Sequence, residues 1–216
     1  MRRPSDEQQQ APGSRRLIPA ALILVDLQRD FLDRPGLEPA EPELLARAGA
    51  LLQGCRTGGV PVLHVHTVVR PDGSDRMPHW VRNGTRQCVA GTPGVRAPDV
   101  VAPIAGEPLI PKPFFSGFGH PALAATLTAL GARTVVVAGI YLHGCVRSTV
   151  MDAYERGFEV WVAADAVGSN EPEHARLTRR YLEGRAASFL DVDAILARLG
   201  GATATATATA TAGAGG

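Results

Sequence analysis

Long apolar runs are missing from this 216-residue chain. A membrane-spanning helix needs about 20 consecutive apolar residues, and the longest stretch, Pro19 to Val25, is far too short. The N-terminal stretch from Met1 to Arg16 holds Arg2, Arg3, Arg15 and Arg16 among Gln, Pro and Ser. It lacks the apolar segment and small-residue cleavage site of a secretory signal, so a cytoplasmic location is the expectation. An excess of charge of one sign is missing too. Twenty-two Lys and Arg face 21 Asp and Glu, for a formal net charge of +1. That balance gives no electrostatic reason to expect nucleic acid or an anionic membrane as partner. Cysteine is scarce: Cys55, Cys88 and Cys145 are the only three. An odd number without close spacing makes a poor disulfide framework, and the lack of a CxxC pair argues against a structural zinc site.

What is present is ordinary globular usage, 45% apolar and 20% charged, at a length that suits one α/β domain. Residues 1–16 have no periodicity and read as a disordered tail. Residues 201–216 alternate Ala and Thr before ending in Ala and Gly, a low-complexity tract with too little side chain to build a core. The folding unit is placed at residues 17–200.

Within it, strands and helices alternate. Ala21 to Val25 is a continuous apolar run, which suits a strand covered on both faces. Leu44, Leu45, Ala48, Leu51 and Leu52 recur at helical spacing and predict a helix over Glu41 to Cys55. Strands are predicted at Pro61 to His66, Leu109–Ile110, Thr134 to Ile140 and Phe158 to Ala163. Helices are predicted at His120 to Leu130, Cys145 to Gly157, His174 to Ala187 and Val192 to Leu199. Residues 70–106 are rich in Pro, Gly and Arg, and a loop of that length in a compact domain is usually functional. The order implies a Rossmann-like three-layer α/β/α fold with a mostly parallel central sheet. Active sites of such sheets gather at the carboxyl ends of the strands.

Three reactive residues fall there. Cys145 opens a helix, where free N–H groups favour a thiolate, and Gly144 before it allows a tight turn. Asp26 closes the first strand, and Lys112 follows the third between Pro111 and Pro113. Singly, each has a plainer reading: a buried structural thiol, a capping carboxylate, a surface lysine. Together they form a device in which a carboxylate takes the thiol proton, an ammonium balances the charges, and the thiolate attacks a carbonyl. Backbone N–H groups of the turn before Cys145 can hold the resulting oxyanion.

Leu22-Ile23-Leu24-Val25-Asp26-Leu27-Gln28-Arg29-Asp30-Phe31 resembles the opening motif of isochorismatase-like cysteine hydrolases. Lys112-Pro113-Phe114-Phe115-Ser116-Gly117-Phe118 is similar to their lysine motif. The run from Val135 through Gly139-Ile140-Tyr141-Leu142-His143-Gly144-Cys145-Val146 resembles their nucleophile motif, continued by Asp152-Ala153 and Gly157-Phe158-Glu159-Val160, with Asp165-Ala166 closing the next strand. The resemblance covers about residues 20 to 197. It implies an Asp26–Lys112–Cys145 triad, a cis peptide at Ile140–Tyr141, an oxyanion hole from the backbone N–H groups of Tyr141 and Cys145, and a homodimer or homotetramer. Tyr141 stands where the family commonly has a small residue or Thr. By the same resemblance Phe31 lines the pocket, and Trp80, Arg82, Arg86, Phe115 and Phe118 are further candidates. An Arg from the long loop suits a substrate carboxylate. Thr67-Val68-Val69 replaces the Asp-x-His metal motif of nicotinamidases, which argues against a metal or other cofactor. Cys145 favours cleavage of a C–N bond in a small amide, carbamoyl or ureido substrate. The alternatives are a vinyl-ether hydrolase of the isochorismatase type and a non-enzymatic partner protein on the same fold. Only one of His64 and His66 is expected to face the site, both as structural residues, and His143 is given no triad role.

Overall fold

The computed structural model describes residues 18–200; the two tails predicted at 1–16 and 201–216 lie outside them. Six strands, β1 (Ala20–Val25), β2 (Val62–Thr67), β3 (Leu109–Lys112), β4 (Thr134–Ile140), β5 (Glu159–Gly168) and β6 (Ser188–Leu190), form one sheet in the order β3-β2-β1-β4-β5-β6. All five pairings are parallel. The chain winds outward from β1 through β2 to β3, then returns to place β4 on the other side of β1. The order therefore reverses between β1 and β4, the place where such sheets leave a crevice at their carboxyl ends.

Strand period sorts the core into two layers. Leu22 and Leu24 of β1 pack with Leu44, Ala48, Leu51 and Leu52 of α2 (Glu41–Thr57) and with Ile195 of α7 (Val192–Gly200). Ala21, Ile23 and Val25 face the opposite way, toward Leu123 and Leu127 of α4 (Pro121–Ala129), Val150 of α5 (Arg147–Glu155) and Leu182 of α6 (Pro172–Leu182). Every residue of β1 is buried, which is why its sequence is apolar without alternation. Two short helices, α1 (Arg29–Leu32) and α3 (Pro78–Arg82), flank the carboxyl ends of the strands. No described helix is long and apolar enough to cross a membrane.

Several sequence expectations need correction. The helix expected to run to Ala187 ends at Leu182, Gly184 takes a φ of 73°, and the chain then enters β6. A three-residue edge strand is too short to leave a period in the sequence. β5 extends to Gly168 rather than Ala163, carried past a register shift against β4. Asp165 therefore lies within β5. It pairs with Arg47 at 2.6 Å and accepts the Val192 N–H at 2.8 Å. Lys112 is the last residue of β3 rather than the residue after it.

Candidate functional site

Asp26 follows β1 and adopts a φ of 54°, unusual for a residue with a Cβ. Its own N–H still joins the ladder, donating to the Val65 carbonyl at 2.8 Å. The carboxylate is completely buried and held from three directions. Oδ1 accepts from Thr67 N at 2.7 Å and from Thr67 Oγ1 at 3.0 Å, and Oδ2 accepts from Lys112 Nζ at 2.7 Å. A buried carboxylate needs such partners.

Lys112 is 1% exposed. Its Nζ reaches Thr67 Oγ1 at 2.8 Å, the Phe114 carbonyl at 3.0 Å and Cys145 Sγ at 3.4 Å, besides Asp26. Burial works against its charge, but Asp26 and Cys145 outweigh that and hold its pKa above the ordinary lysine value.

Cys145 lies in a wide turn of π geometry, Leu142–Val146, that runs directly into α5. The helical segment thus begins three residues before the expected start, and the nucleophile candidate sits inside its first turn. The turn closes with Gly144 N–H and Val146 N–H both donating to the Tyr141 carbonyl, at 2.9 and 3.2 Å. The Ile140–Tyr141 peptide is cis. Burial first, then the Asp26 carboxylate, push the Cys145 thiol above its ordinary pKa, with Lys112 opposing. Cys145 Sγ thus lies in the same buried cluster as the Asp26 carboxylate, joined to it through Lys112 Nζ.

Glycine is required at Gly139, not at Gly144. Gly139 has a φ of 124°, and a Cβ there would stand 2.0 Å from the Val25 carbonyl oxygen. At Gly144 a Cβ would meet only the Phe115 ring, at 3.9 Å. What glycine provides there is open space beside Cys145.

The pocket candidates divide. Phe31 is buried and stands edge-on to Tyr141 with centroids 5.7 Å apart, and Trp80, also buried, tilts against Phe31 at 6.3 Å. The Tyr141 hydroxyl donates to the Phe31 carbonyl at 2.6 Å, and its ring stacks on His143 at 5.7 Å. Tyr141 thereby joins α1 to the turn that carries Cys145. Phe115 is 42% exposed and stacks on His79 at 5.7 Å, at the rim beside Gly144. Phe118 instead belongs to the core under α5. Arg82, the last residue of α3, and Arg86 are exposed, and among the described residues neither makes an ion pair. His64 and His66 lie on the same face of β2, their rings 6.3 Å apart, as a period of two requires. The expectation that only one faces the site side was wrong. His66 senses Asp26 and Lys112, while burial lowers its pKa to about 4. Among the described residues no group of three His, Cys, Asp or Glu is arranged to hold a metal ion.

Two residues at the centre escaped the sequence reading. Thr67, fully buried at the end of β2, touches both Asp26 and Lys112. Gln28, also fully buried, clamps the Thr67 backbone: Oε1 accepts its N–H at 2.8 Å and Nε2 donates to its carbonyl at 2.9 Å. A second bond from Nε2 to the Val95 carbonyl, 3.0 Å, ties in the long loop. The available signal was place alone: Thr67 directly follows the strand predicted to end at His66, and Gln28 lies two residues past Asp26.

The isochorismatase domain model matches residues 20–194. The chain belongs to the isochorismatase family, and it is a hydrolase of that family. It is 32% identical over 164 residues to maleamate amidohydrolase of Pseudomonas putida, covering 73% of this chain and 76% of that protein. It is 28% identical over 184 residues to ureidoacrylate amidohydrolase RutB of Stutzerimonas stutzeri, covering 74% of each. Among solved structures, N-carbamoylsarcosine amidase from Thermoplasma acidophilum superposes with a TM-score of 0.68 at 28% identity, over 81% of this chain and 96% of that one. A family member thus carries a buried, hydrogen-bonded polar cluster at the carboxyl ends of its strands.

Proposed function

We propose that this protein hydrolyses a C–N bond in a small amide, carbamoyl or ureido compound, with Cys145 as nucleophile, Asp26 as base and Lys112 as charge partner. The observation that carries the reading is one buried cluster in which Lys112 Nζ contacts both Asp26 Oδ2, at 2.7 Å, and Cys145 Sγ, at 3.4 Å. The related amidohydrolases support the bond type.

The steps follow from the groups present. Asp26 takes the Cys145 proton and the sulfur, keeping the electron pair, attacks the substrate carbonyl. The tetrahedral oxyanion is held by the backbone N–H groups of Tyr141 and Cys145. Collapse breaks the C–N bond, and the departing nitrogen takes the proton from Asp26, leaving a thioester on Cys145. Water, deprotonated by Asp26, attacks the thioester and a carboxylic or carbamic acid leaves as the thiol is restored. Phe31, Trp80, Phe115 and Tyr141 form the aromatic walls beside this centre, and Arg82 from the loop meets an anionic substrate group. The protein acts as a homodimer or homotetramer in the cytoplasm, without metal or organic cofactor.

The test is ammonia release from a panel of small amides, carbamoyl amino acids and ureido acids, wild type against Cys145→Ala. Release by the wild type alone is expected. Equal turnover by Cys145→Ala on the same substrate would eliminate the thiolate mechanism.

A further inference from the structure

Lys112 has more acceptors than hydrogens. Its ammonium carries three N–H bonds, yet four acceptors surround Nζ: Asp26 Oδ2 at 2.7 Å, Thr67 Oγ1 at 2.8 Å, the Phe114 carbonyl at 3.0 Å and Cys145 Sγ at 3.4 Å. A neutral thiol is the weakest acceptor of the four. In the resting site the three hydrogens therefore go to the three oxygens, and the sulfur receives charge but no hydrogen of its own.

The competition changes when the sulfur ionises. A thiolate attracts a hydrogen more strongly than a neutral oxygen does, so one oxygen must release its share. The Asp26 carboxylate is fixed by Thr67 N and Oγ1 as well as by Lys112, and the Phe114 carbonyl belongs to the backbone just past Lys112 itself. Thr67 Oγ1 is the neutral side-chain acceptor among the three. Its own hydrogen points to Asp26 Oδ1 at 3.0 Å, a bond that a carboxylate accepts more strongly than a neutral carboxyl does. Both bonds of this one hydroxyl act in the same direction: each keeps the proton on sulfur rather than on Asp26.

We propose that Thr67 is a positioning residue that holds the Cys145–Asp26 pair in its proton-on-sulfur form and yields a Lys112 N–H to the sulfur as the thiol ionises. The step balances: the S–H bond breaks, an O–H bond forms on Asp26, the sulfur keeps the pair, and one ammonium hydrogen turns from Thr67 Oγ1 to Sγ. The inference rests on Cys145 being the nucleophile. Gln28 makes the role testable, because it grips the Thr67 backbone through N–H and carbonyl and not through the side chain. The isosteric Thr67→Val therefore deletes the hydroxyl and leaves the main chain held.

The experiment is the pH profile of iodoacetamide alkylation at Cys145, read by peptide mass spectrometry so that Cys55 and Cys88 are scored separately. Thr67→Val is expected to move the midpoint to lower pH by about one unit, with an unchanged plateau rate and melting temperature near wild type. Thr67→Ser, which keeps the hydroxyl, is expected to restore the wild-type midpoint. If Thr67→Val does not fold, Thr67→Ala carries the same expectation against Thr67→Ser. A midpoint that stays or rises overturns the proposal and leaves the hydrolase reading intact. A raised plateau marks an opened site and also overturns it. A wild-type Cys145 inert at every pH overturns this proposal together with the nucleophile assignment on which it rests.

Discussion

Lys112 and Asp26, 86 residues apart in the chain, meet Nζ to Oδ2 at 2.7 Å with both side chains 1% exposed. Removing one partner of such a pair leaves a buried charge without compensation. Lys112→Met is expected to destabilise the protein by about 3–5 kcal/mol and to abolish turnover. Chemical denaturation of the variant beside wild type measures the first effect, and the ammonia assay the second.

Cys145→Ala removes one sulfur from a site that the Asp26–Lys112 pair still holds together. Turnover is expected to fall by at least about a thousandfold, with a melting temperature close to wild type. A large loss of stability alongside the loss of rate would mean that the thiol is chiefly a packing group.

Acid is expected to weaken the fold in two stages. Burial lowers the pKa of His64, and that of His66 to about 4. Both favour the neutral folded form, so their contribution is complete above the ordinary histidine range and declines as pH falls below about 6.5. Glu107 is held at about 2, chiefly by the Arg56 guanidinium at 2.7 Å. A depressed carboxylate contributes fully above its unfolded pKa, near about 4.3, and loses that contribution as pH drops toward 2. Melting temperature against pH is expected to slope from about 6.5 downward. His66→Gln should flatten the upper part, and Glu107→Gln the part below 4.3.

Gly139→Ala places a Cβ 2.0 Å from the Val25 carbonyl oxygen at a φ of 124°. β4 cannot keep its register beside β1 with that atom present. A loss of about 4 kcal/mol or more is expected, large enough that soluble expression itself is a readout. Gly144→Ala, whose Cβ meets only the Phe115 ring, is expected to fold and to raise KM.

Tyr141→Phe deletes the 2.6 Å bond to the Phe31 carbonyl while keeping the ring against Phe31 and His143. A stability loss of about 1 kcal/mol is expected, together with a KM effect from the loosened joint between α1 and the nucleophile turn. Unchanged KM would place Tyr141 outside the substrate wall.

Much of this protein was legible in its sequence because the signals are local. A fully buried parallel strand is mostly apolar, so Ala20–Val25 and Thr134–Ile140 declared themselves, and Asp26 and Lys112 stood out as polar groups at strand ends. The alternation of elements was enough for the layered fold and its parallel sheet. What the sequence could not determine depends on neighbours far along the chain. β6 exists because Trp161, Val162 and Ala163 of β5 offer a free edge to Ser188, Phe189 and Leu190. Thr67 matters because β2 lies beside β1 and its hydroxyl falls between Asp26, 41 residues away, and Lys112, 45 away. Burial, which only the packed structure reveals, pushes the Cys145 thiol above its ordinary pKa. Periodicity reports which face of an element is dry. Only the packed sheet decides which polar groups share that dry space, and in it each must find its hydrogen-bond partner.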